Sequence, residues 1–440
     1  MRITVNVFFK SITIRNKHLI PDKGPLMVLA NHPSTFMDPI VIATTLNRKV
    51  YFLAKGELFK SKFAKWMLPK LNMIPVYRKQ DDPSQMSKND ETFKKCFEHL
   101  EKGGAILMFP EGISITERKL KPIKTGAARI VLGTEARNNF QLNVKVVNIG
   151  LSYVDPHHFN RDLFINIYEP ISAEVYKEEY AADPYTAAQN LTKKISTQLE
   201  TLVIGIDDAK TDELVKNIET LYKYKLSKQQ GLDKDDKEGD FNITKKIIDT
   251  VNYFKITQPQ RVAVIQKKIK EYTLKLNHLN LKDEDISRQE SESFLLGNLK
   301  SLLILLIGLP IYAYGFINNA LPFEIRAFIA KKISKTKEFV GAIGMVLGFF
   351  FFLIFYTVQI LFVWKAFHIP WLTFAYEFSL PLSELFAYWY HYTWIRIKTK
   401  WQLIMLFYKK STFISNLINE REQLIAEFDK AKNEYAFSII

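Results

Sequence analysis

An uncharged apolar stretch, residues 339–364, most limits the folds that this chain can adopt. Glu338 precedes it and Lys365 follows it, but the stretch itself carries no charge. A helix of that length extends about 39 Å at roughly 1.5 Å per residue, which is longer than the roughly 30 Å hydrocarbon core of a bilayer. The sequence therefore predicts a helix that spans a membrane.

Two weaker apolar segments lie on either side of this stretch. Residues 302–317 contain Pro310 and are marginal for a span, and residues 367–394 are aromatic but carry two glutamates. We expect 339–364 and 367–394 to form a membrane hairpin, with 302–317 re-entrant, interfacial or packed on the hairpin. The alternative is that all three segments are interfacial helices.

Basic residues lie on both sides of the predicted hairpin, and positive charge favours the cytoplasmic side of a membrane. Those before it are Arg326, Lys331, Lys332, Lys335 and Lys337, and those after it are Arg396, Lys398 and Lys400. The apolar run at the N-terminus is too short for a signal peptide. The sequence therefore predicts a multi-pass membrane protein whose N-terminal part lies on the cytoplasmic side.

The formal net charge of +15 predicts an anionic partner. Nucleic acid and anionic membrane lipids both qualify, but the charges are spread along the chain, and the apolar C-terminal part favours lipids. We therefore expect no nucleic-acid partner. The single cysteine, Cys96, excludes an internal disulfide and a cysteine-cluster metal site, and the histidines lack ligand spacing, so we also expect no metal.

Strands and helices alternate in the first 180 residues, which predicts an α/β domain with a mixed sheet flanked by helices. The predicted strands are residues 11–14, 26–30, 50–54, 74–78, 105–109 and 144–153, and the predicted helices are 40–46, 57–68 and 90–102. The remaining domains follow from composition. They are a charged helical extension at 181–292, a membrane region at 293–395 and a cytoplasmic C-terminal helix at 396–440.

A histidine and an aspartate follow the strand predicted at residues 26–30. His32 and Asp38 lie in one short loop, where Asp38 suits a helix N-cap and Pro39 the first helical position. Histidine titrates near neutral pH and can take a proton from a hydroxyl, and an aspartate on its other nitrogen fixes the tautomer. An isolated pair of this kind is more often structural, so both interpretations stay open at this point.

Basic side chains and a carboxylate follow two other predicted strands. Arg78 ends the strand at 74–78, and Glu111 and Gly112 follow the strand at 105–109. Further along lie Arg118, Lys119, Lys121, Lys124 and Arg129, beside a helix start predicted at Gly126. Lysines beside a helix N-terminus favour phosphate. The alternatives are a solvated basic loop and, for Glu111, an internal salt bridge.

Taken in order, these residues resemble the four sequence blocks of the phospholipid/glycerol acyltransferase family. The blocks are Asn31-His32 with Asp38-Pro39, then IPVYR at 74–78, FPEG at 109–112 and KLKPIKTG at 119–126. The resemblance covers roughly residues 20–170 and implies the α/β fold of glycerolipid acyltransferases. It also implies transfer of an acyl chain from a thioester, on coenzyme A or an acyl carrier protein, to a hydroxyl of a glycerol phosphate or lysophospholipid.

By this resemblance His32 is the general base and Asp38 its orienting partner. Arg78 and the 118–129 cluster would hold the acceptor phosphate, and Glu111 with Gly112 would help to form the acceptor site. No cofactor is expected, because acyl-CoA or acyl carrier protein is a substrate. An acyl-chain groove could be lined by the stripe Phe59, Phe63, Trp66 and Met67, which is read equally well as a core or membrane-facing stripe.

Two features depart from the common family pattern. Five residues rather than four separate His32 from Asp38, and Ser114 stands where the family's third block usually has arginine. Ser114 therefore belongs to the predicted acceptor site without supplying charge, and Lys124 and Arg129 become the candidates for the phosphate. Both departures resemble the branch that contains the fungal glycerol-3-phosphate/dihydroxyacetone-phosphate acyltransferases.

This branch implies a membrane-bound enzyme of phospholipid biosynthesis that acylates glycerol 3-phosphate or dihydroxyacetone phosphate, with its catalytic domain on the cytoplasmic side. One alternative is a 1-acylglycerol-3-phosphate acyltransferase, since the blocks separate these acceptors poorly. Another is a non-catalytic membrane scaffold that keeps the fold to bind lipid or a partner. The intact His32–Asp38 pair favours an enzyme, because a scaffold does not need it.

Overall fold

The computed structural model describes residues 2–78, 83–233, 235–287, 294–334, 337–409 and 411–438. The chain forms two compact units. The first, which we call the α/β unit, contains Met1–Gly205 and Ala330–Val346, and the second, the helical unit, contains Ile206–Ile329 and Leu347–Ile440. Lys335 and the predicted boundary at residues 292–293 lie outside the described residues.

A mixed sheet forms the centre of the α/β unit. Its strands in the described residues are β1 (Ser11–Arg15), β2 (Leu26–Ala30), β3 (Val50–Lys55), β4 (Met73–Val76), β5 (Ala105–Met108), β6 (Lys145–Tyr153), β7 (Asp162–Ile167) and β8 (Ile171–Ser172). Their order is β1-β7-β6-β2-β5-β3-β4, and β8 pairs with β6. Strands β2 to β6 are mutually parallel, whereas β7 and β8 run antiparallel to β6. The carboxyl ends of β2 to β6 therefore lie along one edge of the sheet.

Helices cover both faces of this sheet. They are α1 (Arg2–Phe8), α2 (Met37–Thr45), α3 (Lys62–Met67), α4 (Asn89–Glu101), α5 (Gly126–Arg137), α6 (Lys177–Ala182) and α7 (Pro184–Leu202). Alternate residues of β2 point to opposite faces, as the pleat of a strand requires. Met27 and Leu29 pack with α4, α5 and α7, whereas Leu26 and Val28 pack with α1 and α2. The predicted fold class, a mixed α/β sheet flanked by helices, is confirmed.

Local differences from the sequence prediction have identifiable causes. The helix predicted at 57–68 is broken into a 3-10 turn at Gly56–Phe59, α3, and a second 3-10 turn at Leu68–Leu71. The break occurs because Ser61 is extended and caps a new helix, its hydroxyl accepting a hydrogen bond from the Ala64 N–H at 3.0 Å. The prediction also missed α1, β7 and β8.

The compact α/β unit extends beyond residue 180, where the first domain was predicted to end. Helix α7 packs Leu191, Ile195 and Leu199 into the same core as β2. These residues were assigned to a helical extension because their 3.6-residue periodicity shows an apolar face but not the surface that the face covers. The unit therefore runs to Gly205.

Helices form the described part of the helical unit. They are α8 (Ala209–Gln229), α9 (Lys237–Thr257), α10 (Pro259–His278), α11 (Asp283–Ser287), α12 (Phe294–Ile333), α13 (Lys337–Phe367), α14 (Pro370–Lys409) and α15 (Ser411–Ser438). The end of α12 and the start of α13 belong to the α/β unit. Within this unit Arg421 of α15 donates hydrogen bonds to Asp283 of α11 at 2.8 and 3.1 Å.

Two helical segments in the described residues, Leu303–Ile333 and Phe339–Phe367, are long and apolar enough to cross a membrane by length and composition. The structure corrects two predictions here. Residues 302–317 are not a short separate segment, because α12 continues through Pro310 to Ile333. The second span predicted at 367–394 falls largely within α14, whose glutamates and tyrosines lower its hydropathy below that of the two apolar segments.

The C-terminal helix predicted at 396–440 also differs. Helix α14 continues to Lys409, and α15 covers Ser411–Ser438. The predicted boundary at 395–396 was placed where basic residues begin, and basic residues are good helix formers that do not end a helix.

Candidate active site

Three loops that contain predicted site residues leave the same edge of the sheet. In the parallel register Leu29 of β2 lies opposite Met108 of β5, so His32 and Glu111 each lie three residues beyond that pair. Arg78 follows β4, two strands away from β5. Loops at the carboxyl ends of parallel strands are where α/β proteins place their functional groups.

His32 and Asp38 form a direct side-chain contact. His32 Nδ1 lies 2.8 Å from Asp38 Oδ2, and the same oxygen accepts a hydrogen bond from the Ser34 N–H at 2.8 Å. The other oxygen, Oδ1, accepts a hydrogen bond from the Tyr153 hydroxyl at 2.8 Å. Asp38 is fully buried, so these donors replace the water that a carboxylate needs. An Asp38 carboxylate on Nδ1 favours the tautomer that leaves Nε2 as a proton acceptor.

The Tyr153 hydroxyl must be the donor in its hydrogen bond with Asp38. Its burial, together with the adjacent Asp38 carboxylate, raises the pKa of the Tyr153 hydroxyl well above its usual value. The hydroxyl therefore keeps its proton and gives it to the hydrogen bond with Asp38. It is the last residue of β6, on the edge of the sheet that also presents His32.

The role predicted for Asp38 as an N-cap is wrong. Phe36 is the cap residue of α2, and Asp38 lies in the first turn with its carboxylate directed at His32 and Tyr153. Its oxygens accept hydrogen bonds from Ser34 and Tyr153 and contact His32, and the cap residue Phe36 makes no side-chain cap hydrogen bond. The Asp38 carboxylate thus contacts the His32 ring and does not cap α2.

The position of the His32 ring is set by an aromatic neighbour. Phe109 stacks on the imidazole with ring centroids 3.9 Å apart and an angle of 10° between the planes. The preceding residue is fixed as well, because the Asn31 side chain exchanges two hydrogen bonds with the Leu151 backbone, at 3.0 and 2.7 Å. The His32 side chain is 18% exposed, and none of the described residues hydrogen bonds to Nε2, so this atom can meet a substrate.

Glu111 holds two loops together. Its Oε1 accepts a hydrogen bond from the His32 N–H at 3.0 Å, and its Oε2 accepts one from the Lys121 N–H at 2.8 Å. The side chain is buried, and this burial raises the pKa of the carboxyl although the two backbone donors oppose the shift. Glu111 therefore joins the histidine loop to the basic loop.

Gly112 lies against two of the predicted phosphate ligands. Its φ of 71° falls in the left-handed region, which favours glycine. Its carbonyl accepts a hydrogen bond from Arg78, and a β-carbon at this position would lie 2.8 Å from Lys124 Nζ. The structure thus brings Arg78 and Lys124 together at Gly112, one residue beyond Glu111.

Ser114 and Arg129 have different surroundings. The Ser114 hydroxyl accepts a hydrogen bond from the Thr35 N–H at 2.8 Å, so Ser114 supports the histidine loop. The Arg129 guanidinium lies over the Phe93 ring, 5.3 Å from its centroid, on the side of α4. Cation–π contacts of this kind position an arginine, and here the contact directs it toward α4.

A cavity of about 90 Å³ opens beside His32. Its lining includes Glu111, Tyr153 and a loop that presents Arg118 and Lys119. The predicted ligands Arg78, Lys124 and Arg129 do not line this cavity. The cations that line it, Arg118 and Lys119, belong to the predicted 118–129 cluster but are not the two candidates singled out from that cluster.

The sequence analysis passed over two contributors to this site, Tyr153 and Phe109. Tyr153 could have been found, because it ends a strand predicted at 144–153 and its hydroxyl then belongs to the same edge as His32. Phe109 is the residue before Pro110 in the third block, and it was read as the end of a strand. Its stacking depends on three-dimensional placement that a sequence pattern does not contain.

Residues 11–152 match the family model described as Acyltransferase. The α/β unit, with its His32–Asp38 pair at the carboxyl edge of the sheet, therefore contains an acyltransferase domain.

Particular relatives share this domain. Glycerol-3-phosphate O-acyltransferase 1 of Saccharomyces cerevisiae is 25% identical over 419 residues, which cover 75% of this chain and 54% of the relative. Glycerol-3-phosphate O-acyltransferase 2 of the same yeast is 26% identical over 254 residues, covering 57% and 33%. The chloroplastic 1-acyl-sn-glycerol-3-phosphate acyltransferase BAT2 of Brassica napus is 28% identical over 132 residues, covering 30% and 36%. The chain thus spans about half the length, or less, of these relatives.

Proposed function

We propose that this protein is a membrane-bound O-acyltransferase that moves a fatty acyl group from a thioester to a hydroxyl of glycerol 3-phosphate or dihydroxyacetone phosphate. The observation that carries the proposal is the buried Asp38 carboxylate, which contacts His32 Nδ1 and leaves Nε2 open beside a cavity whose lining includes Arg118 and Lys119 as well as Glu111 and Glu117. The matches to yeast glycerol-3-phosphate O-acyltransferases support the choice of acceptor.

His32 acts as general base in this reaction. Its Nε2 takes the proton of the acceptor hydroxyl while the hydroxyl oxygen attacks the thioester carbonyl carbon. Asp38, held by Tyr153 and the Ser34 N–H, stabilises the imidazolium that forms. The C–S bond then breaks, and the departing thiolate takes the proton from His32. Base assistance of this type contributes roughly 10²–10⁴-fold in rate.

The phosphate of the acceptor is held by cationic side chains near His32. Arg118 and Lys119 line the cavity, and Arg78 with Lys124 lies at Gly112. Guanidinium and ammonium groups are strong donors to phosphate oxygens. Arg118 and Lys119 are the cations that share a cavity with His32, whereas the Arg129 guanidinium lies over the Phe93 ring.

The donor is acyl-CoA or an acyl carrier protein, and the apolar helix Phe339–Phe367, whose first turns pack in the α/β unit, anchors the protein in a membrane. Lys331 and Lys332 lie in the last turn of the segment Leu303–Ile333, and Lys365 lies in the last turn of Phe339–Phe367. Ala342 and Met345, which follow the basic residues before residue 339, pack in the core of the α/β unit, so these basic residues lie on the same side of the membrane as that unit. Since positive charge favours the cytoplasmic side, they support a cytoplasmic α/β unit. Anionic lipids then complement the net positive charge of the chain.

A 1-acylglycerol-3-phosphate acyltransferase is the second candidate. The match to a relative of that name covers 30% of the chain, against 75% for the first yeast relative, which favours the first candidate. A membrane scaffold without catalysis is a third, and the hydrogen-bonded His32–Asp38–Tyr153 set argues against it.

An acceptor panel tests the proposal. Purified membranes that contain the protein are given acyl-CoA or acyl carrier protein, and thiol release is measured with glycerol 3-phosphate, dihydroxyacetone phosphate or lysophosphatidate. We expect release that depends on one of the first two acceptors and a matching acylated product. Release only with lysophosphatidate would establish the second candidate, and no release above membranes carrying His32→Ala would favour the scaffold.

A further inference from the structure

The segment that joins β3 to β4 exposes apolar side chains to solvent. It runs from Gly56 to Leu71 and contains α3 between two 3-10 turns. A connection of this kind normally packs its apolar side chains on the sheet. Phe59 does so and is 7% exposed, but Phe63 is 64% exposed and Trp66 is 60% exposed. The segment therefore has a second apolar side that the α/β unit does not cover.

The two exposed aromatics act as one surface. Phe63 and Trp66 are three residues apart on α3, and their ring centroids are 6.1 Å apart. Leu58 and Leu71, at either end of the segment, are 41% and 49% exposed. Contiguous exposed apolar surface of this type marks an interaction site, whereas single exposed residues are ordinary.

Lysines surround the aromatic pair. They are Lys60, Lys62, Lys65 and Lys70. Lys70 Nζ lies 3.7 Å from the centroid of the Trp66 ring, and the one carboxylate in the segment, Glu57, pairs with Lys55 at 2.6 Å. Lys60, Lys62 and Lys65 make no ion pair with a described residue. The surface is thus aromatic at its centre and cationic around it.

The α/β unit also contains the starting end of an apolar helix. Ala342 and Met345 of α13 are buried in the same core as β2, and Phe339 contacts Phe36 with ring centroids 5.4 Å apart. Phe36 follows β2 and Gly56 follows β3, and both strands end at the same edge of the sheet. The segment Gly56–Leu71 therefore begins along the edge to which the apolar helix Phe339–Phe367 is fixed.

From these observations we infer that Phe63 and Trp66, with the surrounding lysines, dock the α/β unit onto an anionic lipid bilayer. Tryptophan and phenylalanine partition to the boundary between lipid headgroups and acyl chains, and lysines are attracted to anionic headgroups. The surface complements a bilayer in both its charge and its apolar centre. This docking does not depend on which acceptor the protein uses.

The buried cysteine makes a direct test possible. Burial raises the pKa of the Cys96 thiol to about 12, so a maleimide dye at neutral pH reacts with an introduced exposed cysteine instead. Single variants Phe63→Cys and Trp66→Cys are labelled with a polarity-sensitive dye and the full chain is reconstituted in vesicles containing phosphatidylserine. Val175→Cys is the matched control, because Val175 is also apolar and 75% exposed in the same unit.

We expect emission from positions 63 and 66 to shift to shorter wavelength and to be quenched by doxyl-labelled lipids. Position 175 should emit as in water and resist quenching. Water-like emission and quenching no greater than at position 175 would overturn the inference. Quenching that is equally strong in vesicles of neutral lipid would overturn the contribution of the lysines.

A second measurement keeps the test independent of the labelled aromatics. The dye is placed at Leu71→Cys, with and without the double change Phe63→Ser and Trp66→Ser. We expect lipid quenching at position 71 to fall when both aromatics are removed, while reconstitution through the apolar helices is unchanged. Unchanged quenching at position 71 would show that the aromatic pair does not hold this segment on the bilayer.

Discussion

Removing the Tyr153 hydroxyl should slow catalysis without disturbing the fold. The Tyr153→Phe change keeps a ring that contacts Phe9 at a centroid distance of 5.9 Å and deletes only the donor to Asp38 Oδ1. Because Asp38 is fully buried, no water replaces that donor without rearrangement. The Asp38 carboxylate is then held less firmly against His32 Nδ1, and it stabilises the imidazolium less well.

The size of the effect follows from the type of hydrogen bond. A hydrogen bond to a charged group contributes about 1.5–3 kcal/mol. At roughly 1.36 kcal/mol for each tenfold change in rate, kcat should fall roughly 10- to 150-fold. The Michaelis constants for the donor and the acceptor should stay nearly unchanged, because Tyr153 supports Asp38 and not the ground-state substrate.

Steady-state thiol release in reconstituted vesicles measures this effect. The control is Tyr180→Phe, since Tyr180 packs beside Phe140 in the same unit and its hydroxyl makes no hydrogen bond with a described residue. This control should retain wild-type kcat. The reasoning is refuted if Tyr153→Phe has wild-type kcat, or if its loss of activity matches the loss of folded protein in a thermal melt.

Three further changes probe the site. Asp38→Asn removes the charge that supports the imidazolium and should lower kcat roughly 10²–10⁴-fold in the same assay, while an unchanged kcat would contradict the pairing with the base. Gly112→Ala and Gly24→Ala should each lose roughly 1–2 kcal/mol of left-handed strain in thermal unfolding, because the atom nearest the β-carbon at Gly112, Lys124 Nζ at 2.8 Å, ends a flexible side chain that can move away, and nothing lies within 4 Å of the one at Gly24; a loss at Gly112 well above that at Gly24 would refute this. Burial raises the pKa of the Glu111 carboxyl in the folded protein. The free energy of unfolding of the wild type, relative to that of Glu111→Gln, should therefore fall as the pH rises above about 4.3, where the carboxyl of the unfolded chain ionises. Thermal melts in which the difference between the two proteins does not change with pH would contradict this burial effect.

Much of the α/β unit could be predicted because its signals are local. The strand at residues 26–30 is a short apolar run bounded by turns, and all five of its residues are fully buried. Helix α10 begins at Pro259, since proline suits a first helical turn. By contrast, the second apolar side of Gly56–Leu71 was ambiguous, because periodicity does not say whether sheet, ligand or lipid covers an apolar side.

The candidate site could be predicted in part. The order of motifs and strands indicated that His32 and Glu111 follow neighbouring parallel strands, and the register of β2 and β5 places them level with each other. The choice among cationic residues was less determined. Arg118 and Lys124 belong to one loop of similar composition, and only the fold decides that Arg118 lines the cavity while Lys124 lies at Gly112.

The contribution of His32 as a base is tested most directly by one comparison of membranes. Acceptor-dependent thiol release is measured for the wild type, His32→Ala and the control His18→Ala, whose histidine lies exposed on the surface of the same unit. We predict that His18→Ala keeps wild-type activity and that His32→Ala loses roughly 10²–10⁴-fold at equal amounts of folded protein. Wild-type release by His32→Ala would contradict the assignment of His32 as the base.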